Sequence, residues 1–218
     1  MTRAAGVFVA VAVIALVAPA VAQQTNTKSP YLTWSAAEAE RIGKATRVDG
    51  RVGGAFDFRV VHTEHSYNYK LRATWMTKDV IQATARLLQL SERLTDSQTE
   101  ELVREATAAG EIVVMVEIDP REGSGVIPTD WSAFLGPSGS GSDVARGVST
   151  PALENVKALR GVHRRDYNYD LFWVVFPLEA TNGTPLFPSG VTQATLTVRI
   201  SGKEGHVSFP VPASLRSK

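Results

Sequence analysis

The residues most able to do chemistry sit in a short stretch, His62-Thr63-Glu64-His65. Two imidazoles and a carboxylate in a tight turn could bind a divalent metal, with His163 as a third ligand from elsewhere in the chain. The spacing is not that of the helical zinc-protease motif, which places two histidines at i and i+4 around the glutamate. Histidines at i and i+3 on a turn need not converge, and a polar loop facing water is the plainer reading. His62, His65 and His163 are therefore weak metal candidates, and no ligand set is complete in the sequence. His206 is the fourth and last histidine.

A second group is acidic: Glu117, Asp119 and Glu122 near the end of an apolar run. Strand ends often carry sites. Asp119-Pro-Arg121-Glu122-Gly123 lacks the alternating Asp/Asn positions of a calcium loop. Paired carboxylates also serve glycoside hydrolysis, where their separation decides the outcome. A turn with a solvated ion pair to Arg121 is the plainer reading.

Other catalytic patterns are missing. Around Gly136-Pro137-Ser138-Gly139-Ser140 the nucleophile-elbow pattern fails at its last position. Cysteine is absent from the chain, which excludes thiol chemistry and lipid attachment to a cysteine. No phosphate-binding loop or dinucleotide fingerprint is present. No cofactor is implied.

Tyrosines provide a different signal. Tyr67-Asn68-Tyr69-Lys70-Leu71 echoes Tyr167-Asn168-Tyr169-Asp170-Leu171. The echo reads as an internal repeat, a coincidence, or a paired aromatic surface of Tyr67, Tyr69, Tyr167 and Tyr169. Tyrosine suits binding surfaces because its ring packs while its hydroxyl bonds. Rings that fill the edge of a core give the same pattern.

The first 22 residues read as a cleavable export signal. Arg3 supplies the positive charge, Gly6 to Ala18 the apolar run, and Ala20-Val21-Ala22 the small residues before cleavage. Gln23 then becomes the N-terminus. The run is short for a spanning helix, which needs about 20 residues. The expected location is periplasmic or secreted, with no transmembrane segment in the mature chain.

Residues 23–218 are expected to form one strand-rich domain with a flexible loop near 136–143, where Pro, Ser and Gly alternate. The whole chain carries a formal charge of +1. That balance does not point to nucleic acid, whose binders carry a clear basic excess. With no cysteine, packing and hydrogen bonds alone must hold an exported domain of this size.

Along the chain, Ser35 caps a short helix through Ala36–Ala45. Gly50, Gly53 and Gly54 read as a turn region. Alternation predicts strands at Phe56–His62 and Tyr67–Trp75, joined through 63–66. From Thr77 the period becomes 3.6, with Val80, Ile81, Thr84, Leu87, Leu88 and Leu94 on one face. Thr95 and Gln98 form a capping box for a second helix, Asp96–Ala109, with Gly110 at its end.

Ile112–Ile118 is nearly all apolar and β-branched, as in a strand covered on both faces. Thr150 and Pro151 open a short helix that ends near Arg160. Tyr167–Leu178 reads as a central strand. A hairpin closes the chain, turning at Gly202–Gly205, and Pro210 and Pro212 place its last strand at a sheet edge.

The fold class is therefore α+β: mainly an antiparallel sheet or sandwich with an inserted helical hairpin at 77–109. The function expected first is a non-catalytic binding or envelope-associated domain whose partner is a protein, a glycan or a surface. An exported hydrolase is the alternative, using either His62 and His65 with a metal or the Glu117–Glu122 loop.

Overall fold

The computed structural model describes residues 28–54, 68–120, 129–139, 144–162 and 170–217. Among the described residues, nine strands form two antiparallel sheets. The first, in the order β1-β2-β3-β7-β6, contains β1 (Arg47–Val52), β2 (Tyr69–Trp75), β3 (Ile112–Pro120), β6 (Val148–Ser149) and β7 (Asp170–Phe176). The second, in the order β5-β4-β8-β9, contains β4 (Ser132–Pro137), β5 (Ala145–Arg146), β8 (Gln193–Ile200) and β9 (Lys203–Pro210).

The sheets pack into a sandwich-like arrangement because each presents an alternating apolar face. Tyr69, Leu71, Ala73 and Trp75 of β2 meet Ala194, Leu196 and Val198 of β8 in one buried cluster. Trp75 links the layers, with its ring centroid 5.7 Å from Phe209 of β9 in an edge-on contact.

The helical hairpin inserts between the paired strands β2 and β3. Helix α2 (Lys78–Glu92) starts where the Thr77 hydroxyl accepts the Val80 N–H. Helix α3 (Asp96–Thr107) starts at the Thr95–Gln98 capping box, with both reciprocal bonds made. The pair covers the outer face of the first sheet. There Val113 and Met115 of β3 and Trp173 of β7 join Val80, Ile81 and Ala106 in a second buried cluster. Strand β3 is thus covered on both faces over Ile112–Val116, as its apolar run suggests. A shorter helix, α1 (Ala36–Gly43), is capped by Ser35 and lies against α2.

Several expectations need correction. The strand expected at Phe56–His62 and its hairpin link lie outside the described residues. On the edge away from β3, β2 pairs with β1, in the stretch read as a turn. Gly50 is there for close approach: a Cβ would lie 2.5 Å from Val207 Cγ1. Gly136 and Pro137, expected in the flexible loop, belong to β4, while 140–143 lie outside the described residues.

The central strand of the first sheet is β3. Strand β7, whose apolar run suggested that place, lies next to the two-residue β6. The segment after Pro151 forms two 3-10 turns, Pro151–Asn155 and Lys157–Leu159, split by the extended Val156. Helix α1 ends at Gly43, and α3 is closed by Ala108 rather than Gly110. Gly110 instead gives way to Val175, whose Cγ1 would be 2.8 Å from a Cβ there. The final hairpin turns at Ser201 and Gly202, which both have positive φ, while Lys203 to Gly205 are already in β9. Strand β9 lies at a sheet edge, as the prolines suggest.

Candidate functional site

Two of the acidic residues marked in the sequence, Glu117 and Asp119, fall on the outer face of the first sheet. Register sets Asp49 of β1 opposite Arg72 of β2, and Arg72 opposite Glu117 of β3. Lys70 of β2 faces Asp119. Carboxylates thus flank a strand of cations. Arg72 Nε donates to Asp49 Oδ1 at 2.7 Å, and its NH1 lies 4.0 Å from Glu117 Oε1. Lys70 Nζ is 3.6 Å from Asp119 Oδ2.

Burial alone would raise the Asp49 carboxyl pKa. The Arg72 hydrogen bond and the charges of Arg47 and Arg72 outweigh it and hold the group below its ordinary value. A carboxyl held ionised in this way is a poor proton donor. Glu117 is 3% exposed and faces Arg72 from the middle of the sheet. The geometry is that of a cross-strand charge ladder joining three strands. Glu122 lies outside the described residues.

The tyrosine echo is resolved in part. Tyr69 is 2% exposed and belongs to the core between the sheets, so it is not a surface residue. Its place follows from the alternation of β2. The echo also places its two leucines on opposite faces. Leu71 pairs with Ile118 and faces the inter-sheet core, while Leu171 pairs with Glu117 and packs on the helical side. A shift of one residue along β3 turns a side chain to the other face. Tyr67, Tyr167 and Tyr169 lie outside the described residues, as do the metal candidates His62, His65 and His163. Among the described residues, no group of three or more His, Cys, Asp or Glu is placed to hold a metal ion.

A feature the motif search missed lies on the helical side. Between α2 and the chain at 157–162 runs a groove of about 380 Å³. Leu87 and Leu88 of α2 line one wall, both half-buried. Lys157, Arg160, Gly161 and Val162 line the other.

That second wall is fixed at three points. The indole N–H of the buried Trp173 donates to the Leu159 carbonyl at 2.9 Å. Val162 packs on α1 at Gly43, where a Cβ would come within 2.4 Å of Val162 Cγ1. Gly161 adopts φ +72°, and a Cβ on it would lie 2.9 Å from Met115 Cε. The left-handed conformation and the close approach both require glycine here.

Charge on the rim is uneven. Lys157 Nζ pairs with Glu92 Oε2 at 2.9 Å across the groove. Arg160 Nε donates to the Glu154 carbonyl at 3.3 Å, and among the described residues its guanidinium has no carboxylate partner.

The sequence did hold a signal for this groove. The apolar face of α2 continues through Leu87 and Leu88, beyond the buried Val80, Ile81 and Thr84. An apolar face that outruns its cover leaves a groove.

Compared with known proteins, the chain matches no family model, no curated protein and no solved structure. Function must therefore be argued from the geometry. Among the described residues, no helix is long and apolar enough to cross a membrane.

Proposed function

We propose that this is an exported, non-catalytic binding protein, and that the groove between α2 and residues 157–162 holds its ligand. The observation that carries the reading is the groove's composition: leucines on one wall and hydrogen-bonding, charged groups along the rim. Ligand sites combine an apolar interior with a few placed polar groups, and span about 300–1,000 Å³. The concave shape suits a small molecule or a chain end better than a flat protein surface.

Export rests on the first 22 residues, whose pattern of charge, apolar run and small residues is that of a cleaved signal. The charge ladder of Asp49, Arg72 and Glu117 supports the non-catalytic part. It uses the acidic residues as cross-strand partners and keeps Asp49 ionised.

Calorimetric titration with octyl glucoside, an uncharged amphiphile kept below its micelle concentration, tests the groove. Saturable binding at one site is expected, and Leu88→Asp should abolish it while the protein remains folded. No binding to the wild type, or equal binding to a folded Leu88→Asp protein, would contradict the reading.

A further inference from the structure

We infer that the groove is selective for single-chain amphiphiles with an anionic headgroup, a carboxylate above all, with Arg160 as the headgroup anchor. The inference rests on the groove being the binding site and adds the chemical class of its ligand. Three observations carry it.

The first is the charge balance. Lys157 is neutralised across the groove by Glu92 at 2.9 Å, so that pair adds little net field. Arg160 is exposed and has no carboxylate partner among the described residues. Of its five N–H donors, the one on Nε already meets the Glu154 carbonyl. The two terminal nitrogens keep the fork geometry that pairs with a carboxylate through two parallel hydrogen bonds.

The second is polarity along the groove. Glu92 on the α2 side is neutralised by Lys157, which leaves Arg160 on the opposite wall as the rim cation with no carboxylate partner among the described residues. The headgroup therefore has one favourable place. The apolar chain lies away from it, over Leu87 and Leu88.

The third is size. A volume of about 380 Å³ lies at the small end of ligand sites, which span about 300–1,000 Å³. That suits one short chain.

The test compares decanoate with octyl glucoside by calorimetry on the wild type, Arg160→Gln and Leu88→Asp. Decanoate should bind the wild type more tightly than octyl glucoside does. Arg160→Gln should weaken decanoate about tenfold, the scale of one charged hydrogen-bonded contact. Octyl glucoside, which is uncharged, should lose less affinity than decanoate in that variant; equal losses for the two ligands would overturn the inference, and an unchanged thermal midpoint shows that the variant is folded. Leu88→Asp should remove both ligands.

If octyl glucoside binds but Arg160→Gln leaves decanoate unaffected, the headgroup inference is overturned and the groove reading stands. If neither ligand binds the wild type, both fall.

Discussion

A Cβ on Gly205 of β9 would lie 2.4 Å from the carbonyl oxygen of Arg51 in β1. The two sheets therefore touch backbone to backbone at this corner. The Gly53 N–H donates to the Glu204 carbonyl at 3.1 Å and fastens the contact. Backbone cannot swing aside as a side chain can. Gly205→Ala should destabilise the fold by at least about 2 kcal/mol, within the range for overpacked sites. Gly190→Ala is the control, since nothing lies within 4 Å of a Cβ there. Urea unfolding of both variants checks the contrast, and equal midpoints would refute the close contact.

The capping box on α3 makes a second prediction. Thr95 Oγ1 accepts the Gln98 N–H at 3.2 Å, and Gln98 Oε1 accepts the Thr95 N–H at 2.8 Å. Thr95→Ala removes the first bond and should cost about 1 kcal/mol. Denaturant unfolding reads the change directly.

The charge ladder sets a pH dependence. Asp49 is held below its ordinary pKa by Arg72 and Arg47 despite the opposing effect of burial. Asp96 is held low chiefly by its hydrogen bond with Lys28, and then by Gln89. A carboxyl depressed in the fold adds stability above its unfolded value, near 3.9. That contribution is lost as pH falls through the lower folded value. Stability should therefore fall as pH drops below about 4. Asp49→Asn should lower stability at neutral pH and flatten that acid-side decline. Thermal melts between pH 7 and pH 2 on both proteins check the sign.

Export gives a fourth prediction. When the full chain is produced in a bacterium, the protein in the periplasmic fraction should begin at Gln23, as read by N-terminal sequencing. Protein that keeps Met1 and stays in the cytoplasm would refute it.

What the sequence made legible followed from local chemistry. Thr77, Thr95 and Gln98 mark helix starts through bonds between near neighbours, and α2 and α3 begin there. The alternation in β8 separates buried from open positions along the whole strand; in β2 it holds as far as Arg72, beyond which Ala73, Thr74 and Trp75 are all buried, because the second face of that sheet is covered too. The positions that misled are set by distant neighbours. Gly50 suggests a turn by its type, yet it lies in a strand because Val207 comes so close. Strand β7 has an apolar run suited to the sheet centre, but β3 takes that place between β2 and β7. Glu117 and Asp119 drew notice as an acidic cluster. Only the register with Arg72 and Lys70 shows what they face. The groove needs Leu87 and Leu88 to meet residues 157–162, a pairing that periodicity cannot reveal.

The most direct test of the groove is an isotope-filtered nuclear Overhauser spectrum of the protein with bound octyl glucoside. Cross-peaks from the alkyl chain should reach the methyl groups of Leu87, Leu88 and Val162. Cross-peaks to the outer face of the second sheet instead, at Phe134 or Thr197, would contradict the assignment of the groove as the binding site.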